Sequence, residues 1–200
     1  MWQWLRSRGE RRDRRKRSAW LAAGRPAPAP SVVKHDIVRQ YADRHGLATL
    51  VETGTYMGGT IEALRDRFAR IYSIELDDAL YERARARFAH LPHVTILHGD
   101  SAQMLPEVLA HLREPALFWL DGHYSGPGTA KGRRETPIEE EIRAVLAHPV
   151  AGHVILVDDA RVFGSWPDYP TIDDFHRLVT TAAPAAQFTV EDDIIRIHPT

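Results

Sequence analysis

The sequence predicts an α/β fold, with a mostly parallel sheet covered by helices on both faces. Three observations carry the prediction. Apolar runs of strand length alternate with helix-compatible stretches along most of the chain. The first such run leads directly into Glu52-Thr53-Gly54-Thr55-Tyr56-Met57-Gly58-Gly59-Thr60, a glycine turn followed at once by a helical stretch. Strand, glycine turn and helix together present backbone N–H groups to a nucleotide-like ligand. A second acid, Glu75, closes the next apolar run 23 residues after Glu52. That is near the ~20-residue spacing at which an acid reaches ribose hydroxyls in dinucleotide folds.

Each element has its own signal. Ser31 to His45 has helical spacing, with Val33, Ile37, Val38 and Tyr41 on one face and Gly46 as its stop. Thr49–Glu52 is the first strand, and Gly59–Phe68 its helix. Ile71–Glu75 is the second strand, and Asp77 caps a helix running to Ala89. Val94–His98 is the third strand, ending at Gly99-Asp100, with a helix over Met104–Leu112. Ala116–Leu120 is the fourth, ending at Asp121. Thr136 and Pro137 start a helix whose Glu139, Glu140 and Glu141 sit near the positive end of its dipole. His153–Val157 is the fifth strand, ending at Asp158-Asp159, and Ile172–Ala182 is helical. Phe188–Val190 and Ile194–Ile197 flank the acidic turn Glu191-Asp192-Asp193, which predicts a closing hairpin and seven strands in all.

Five strand ends carry acids: Glu52, Glu75, Asp100, Asp121 and Asp158. Ligands in open α/β sheets bind beyond the carboxyl ends of the strands, so these acids face one crevice. Any one of them would serve equally well as a turn or capping residue.

Two hundred residues suit one domain with a substantial core. There are no cysteines, which excludes disulfides, thiolate nucleophiles and Cys-bound metal centres. No apolar stretch approaches the ~20 residues of a membrane-spanning helix, and the N-terminus lacks the apolar core of a secretory signal. A cytoplasmic location is the expectation. Residues 1–25 hold nine Lys/Arg against Glu10 and Asp13, a net +7, whereas the whole chain is −1. The remaining body is therefore acidic and a poor general binder of nucleic acid. The basic segment, with Trp2, Trp4 and Trp20, reads either as a frayed, solvated extension or as an arm for RNA or a membrane surface. Ala22 to Pro30 reads as a linker, and the folded domain is expected over residues 31–200.

With these residues assembled, the chain resembles class I S-adenosylmethionine-dependent methyltransferases, which have a Rossmann-like fold and a C-terminal antiparallel strand. Glu52-Thr53-Gly54 with Gly58 looks like the family's first motif. Tyr56 stands where a third glycine is common. The macrocin-type sugar O-methyltransferases share that departure. Leu120-Asp121-Gly122 and Val157-Asp158-Asp159 continue the likeness to that metal-dependent group. His123 departs from it, since another acid often stands there. The stretch Tyr124 to Glu135 is also unlike the sugar enzymes, so the substrate is not inherited.

The resemblance implies S-adenosylmethionine as cofactor. Backbone groups of Gly54, Thr55, Tyr56, Gly58, Gly59 and Thr60 would face its amino-acid end, where glycines allow close approach rather than neutralise a pyrophosphate. Glu52 would accept from its ammonium and Glu75 from both ribose hydroxyls. Asp100 and Ser101 would lie at the adenine, with a turn role as the alternative for Asp100. The resemblance also implies Mg²⁺ held by Asp121, Asp158 and Asp159. An oxygen-only ligand set equally suits Mn²⁺ or Ca²⁺. Asp159 has a second reading, as a turn cap or a partner of Arg161.

A metal-bound hydroxyl is more acidic, and Asp121 and His123 become the catalytic pair, His123 as base. His123 has further readings as a metal ligand or a loop hydrogen-bond donor. Gly126 to Arg134 reads as a basic lid or as a plain solvated loop, Trp119 as core, and Trp166, Tyr169 and Pro170 as walls of an acceptor pocket. The leading expectation is a divalent-metal-assisted O-methyltransferase of a small hydroxylated acceptor, a sugar or secondary metabolite. Two alternatives stand beside it: a metal-independent methyltransferase, and a non-catalytic cofactor-binding protein whose basic arm binds RNA or membrane. The oligomeric state is open, with a homodimer compatible.

Overall fold

The computed structural model describes residues 2–122, 136–166 and 168–200, without the side chains of residues 2–8. The chain begins with a helix, α1 (Trp2–Ala22), then α2 (Ser31–Arg44). Strands and helices then alternate: β1 (Thr49–Thr53), α3 (Gly59–Leu64), β2 (Arg70–Glu75), α4 (Asp78–Phe88), β3 (Val94–His98), α5 (Ser101–His111) and β4 (Leu117–Leu120). After it come α6 (Ile138–Leu146), β5 (Val154–Val157), a short 3-10 turn at Ala160–Val162, α7 (Ile172–Ala182), β6 (Gln187–Glu191) and β7 (Ile194–His198).

The sheet order is β3-β2-β1-β4-β5-β7-β6. β1 to β5 pair in parallel, and β7 runs antiparallel between β5 and β6. This is an α/β Rossmann-like arrangement with a C-terminal antiparallel hairpin. Strand order reverses between β1 and β4, which opens a crevice at their carboxyl ends. In register, Thr53 sits beside Ile74 on one side and Leu120 on the other, and Leu120 beside Val157. Glu75, Asp121 and Asp158, each one residue further on, therefore emerge at one level.

Period-2 alternation splits the strands between two cores. Val51, Phe118 and Ile155 pack under α5, α6 and α7, with Leu105, Ile142 and Phe175. Leu50, Leu117, Trp119 and Leu156 pack on the other face with Val38, Ile61 and Phe88. Trp119 is core, as its strand position implied.

The N-terminal segment departs from the frayed extension that its composition suggested. Residues Trp2–Ala22 form a 21-residue helix. Its anchor is Trp20, 7% exposed, which packs among Ala29, Val33 and their neighbours. The indole N–H donates to the Pro26 carbonyl at 2.8 Å. Arg17 pairs with Asp36 of α2. Arg25 lies over the Trp20 ring, 5.6 Å from its centroid, and pairs with Glu191 at 2.8 Å and Asp192 at 2.6 Å. The acidic hairpin turn thus takes up part of the N-terminal charge. A large apolar side chain whose one polar atom is satisfied outweighs the helix's otherwise polar surface.

Candidate active site

The turn after β1 is shaped by what surrounds it. A Cβ on Gly54, at φ +84°, would lie 2.6 Å from the Asp121 carbonyl oxygen. The glycine therefore lets the ends of β1 and β4 approach each other. Gly58, at φ +70°, caps α3 and would put a Cβ 2.6 Å from the Phe88 ring. Gly59 has open space around it. Tyr56 takes the left-handed region at φ 47° and leaves its side chain exposed.

Glu52 is buried at the end of β1. The Ser73 hydroxyl donates to its Oε2 at 2.6 Å, and Ser73 also bonds Thr55 at 2.6 Å. Burial pushes the Glu52 carboxyl up to about 8, against hydrogen bonds from Ser73 and Thr60. An ammonium arriving beside it would draw that proton off. Glu75, 6% exposed, accepts the Tyr56 N–H at 2.7 Å on Oε2 and the Asp77 N–H at 2.9 Å on Oε1. Each oxygen has one backbone donor, leaving acceptor capacity on both for a diol. Asp77 caps α4 through the N–H groups of Ala79 and Leu80.

Asp100 has its turn role: it caps α5, accepting the Ala102 N–H at 3.0 Å. Ser101 is buried, and its hydroxyl favours the ionised form of the Glu141 carboxyl.

The structure brings Asp121, Asp158 and Asp159 to one end of the sheet, where Asp158 and Asp159 are paired with cationic side chains. Among the described residues no group of three His, Cys, Asp or Glu is arranged to hold a metal ion. Asp158 and Asp159 already have cationic partners. Lys34, from the first turn of α2, pairs with Asp158 Oδ2 and approaches Asp159 Oδ1 at 3.5 Å. Asp158 Oδ1 accepts the Asp159 N–H at 2.9 Å. Asp159, left-handed at φ 59°, takes Arg161 on Oδ1 at 2.6 Å. The Arg161 partnership weighed from the sequence is thus present.

Burial works against the Lys34 charge, yet Asp158, Asp159 and Asp121 outweigh it and hold the ammonium pKa above its ordinary value. Burial and the Asp121 charge push the Asp158 carboxyl up, against the pull of Lys34. His123 and the stretch Tyr124 to Glu135 lie outside the described residues.

A narrow cleft opens beside the cluster, lined among others by Asp121, Thr136, Glu141, Asp158 and Tyr169. Tyr169 packs edge-on against Phe163 at 5.0 Å. Burial raises its phenol well above the ordinary value. Trp166 is 45% exposed.

Glu141 and Lys34 are the two site residues that sequence reasoning passed over. Glu141 is 1% exposed, and its Oε1 has no hydrogen-bond partner among the described residues. Burial pushes its carboxyl up to about 7, partly offset by the Ser101 and Thr53 hydroxyls. Both residues had one available signal. Glu141 lies on the apolar stripe Ile138, Ile142 and Val145, and Lys34 lies on the stripe Ile37, Val38 and Tyr41. A charge at a core-facing helical position must find a partner, a proton or a ligand.

No family model matches the chain. Solved structures with the same fold include the O-methyltransferase of Bacillus cereus in complex with S-adenosylhomocysteine (SAH), at TM-score 0.60 and 17% identity, covering 93% of this chain and 90% of that one. TomG of Streptomyces achromogenes, an O-methyltransferase involved in tomaymycin synthesis and solved with S-adenosylmethionine, matches at TM-score 0.61 and 18% identity, covering 94% and 89%. The SAH-bound methyltransferase PaMTH1 of Podospora anserina matches at 0.54 and 16%, covering 94% and 86%. A curated protein, ribosomal RNA small subunit methyltransferase A of Acidobacterium capsulatum, is 38% identical over 72 residues. That stretch is 36% of this chain and 25% of the relative's length.

Proposed function

We propose that the chain is an S-adenosylmethionine-dependent O-methyltransferase acting on a small hydroxylated acceptor. The observation that carries this reading is Glu75, a nearly buried carboxylate at the end of β2 held by the N–H groups of Tyr56 and Asp77. It stands beside the glycine turn, one strand from the β1–β4 reversal where α/β folds bind nucleosides. The three solved structures of like fold, each with the cofactor or its demethylated product, support the choice of ligand.

Glu75 would bind the ribose hydroxyls and Glu52 the ammonium. When bound, the sulfonium cofactor supplies an electrophilic methyl group. The chain must then place a nucleophilic oxygen in line with that methyl and keep the approach fixed. The cleft at Asp121, Thr136, Glu141 and Tyr169 offers hydrogen-bond partners for a hydroxyl. Asp121, in the lining of this cleft, would receive the proton; His123 remains the sequence-based candidate for that role.

The reading does not extend to a resident divalent ion, because Lys34 and Arg161 already occupy oxygens that the ion would need.

The test is transfer of methyl label from S-adenosylmethionine to a panel of sugars, phenols and other small alcohols. Label on a hydroxyl oxygen supports the reading. A chain that neither binds SAH nor labels any of them would overturn it.

A further inference from the structure

We propose that Lys34 is a tethered replacement for a divalent cation, its ammonium lying where the strand-end carboxylates would otherwise collect a metal ion. Three features of the chain lead there. First, Lys34 is placed by the fold rather than by chance contact. It sits on the inward stripe of α2 with Ile37, Val38 and Tyr41, its backbone N–H donates to the Pro30 carbonyl at 3.2 Å, and its side chain is 16% exposed.

Second, two carboxylates lie within ion-pair reach of the ammonium. Lys34 pairs with Asp158, reaches Asp159 at 3.5 Å, and feels the charge of Asp121. Buried charges of one sign need compensation, and the fold supplies it covalently, with Arg161 closing on Asp159 from the other side.

Third, both Asp158 oxygens and one Asp159 oxygen are spent. Asp158 uses one for Lys34 and the other for the Asp159 N–H, and Asp159 Oδ1 faces both cations. A divalent ion needs such oxygens at roughly 2.0–2.6 Å. It could take them only by expelling a like-charged ammonium that the helix holds in place.

The consequence deepens the methyltransferase reading and rests on it only here: an acceptor oxygen entering the cleft would meet an Asp158 carboxylate paired with the Lys34 ammonium instead of with a metal. An ammonium donates hydrogen bonds and attracts developing negative charge, with no demand for octahedral geometry.

The probe is Mn²⁺ itself, titrated into the full chain with and without SAH and followed by the loss of its free EPR signal. Wild type is expected to take up no stoichiometric Mn²⁺ at sub-millimolar concentration. Lys34→Met keeps the apolar stem and should create one Mn²⁺ site, at least about tenfold tighter than any in wild type. Adding Asp158→Asn should remove that gain, and Lys34→Arg should show none. Two results overturn the proposal: a tight Mn²⁺ site in wild type that Asp158→Asn abolishes, or a folded Lys34→Met with no gain. If Lys34→Met fails to fold, the wild-type titration compared with Asp158→Asn still decides. Failure to bind SAH would count against the methyltransferase reading alone and leave the Mn²⁺ result standing.

Discussion

The Glu75 carboxylate accepts the Tyr56 N–H at 2.7 Å, fastening the end of β2 to the turn that follows β1. One side chain thus orders the loop and keeps acceptor capacity for a ligand. Glu75→Ala leaves two backbone donors without their partner. The expected loss is about 1–3 kcal/mol in urea unfolding. An unchanged midpoint would show that the turn is ordered by other contacts.

The glycines make a graded prediction. Gly54→Ala drives a methyl toward backbone, 2.6 Å from the Asp121 carbonyl, at φ +84°. Gly58→Ala meets the Phe88 ring at the same 2.6 Å, but a side chain can move further than a strand. Gly59→Ala meets nothing within 4 Å and sits at a helix start. The expected order of thermal stability is Gly59→Ala at or slightly above wild type, then Gly58→Ala, then Gly54→Ala, with the last two costing about 1–3 kcal/mol or more. A Gly54→Ala variant as stable as Gly59→Ala would contradict the close approach.

Glu141 makes the pH dependence testable. Burial moves its carboxyl from 4.5 up to about 7. Between those values the folded chain holds a proton that the unfolded chain has released, so stability falls as pH rises. The contribution is fully present below the unfolded value and is lost through pH 7. Glu141→Gln cannot titrate. Its stability relative to wild type should therefore climb between pH 4.5 and 8, by about 1–3 kcal/mol. A difference that stays flat across that range would show that Glu141 is ionised when folded.

Trp20 tests the docking of α1. Trp20→Ala removes a side chain that is 7% exposed and is expected to cost about 3 kcal/mol. It should also open the α1 amides to hydrogen exchange. If the segment were a frayed extension, neither would change.

Most of the fold was legible because its signals are local. Val94–His98 and Ile172–Ala182 have the boundaries that their patterns predict, and Asp77 caps α4 as its position suggests. Helix α5 begins at Ser101, three residues before the periodic stretch, because Asp100 caps it there. What escaped was pairing across the fold. Nothing near Lys34 in sequence announces Asp158, 124 residues away. Glu141 already had a sufficient local explanation at a helix start, and only packing shows it turned inward. Trp20 looked like part of a charged tail because its partners, Ala29 and Val33, lie within and beyond a proline-rich stretch. The same limit explains the cation site: the sequence placed three acids at strand ends but could not show which cation reaches them.

The central claim is that Glu75 and the glycine turn hold an S-adenosyl ligand. Calorimetric titration of SAH into wild type and Glu75→Ala tests it most directly. One site per chain in wild type, weakened at least about tenfold in a folded Glu75→Ala variant, is the predicted result. No binding to wild type, or equal binding to both, would contradict it.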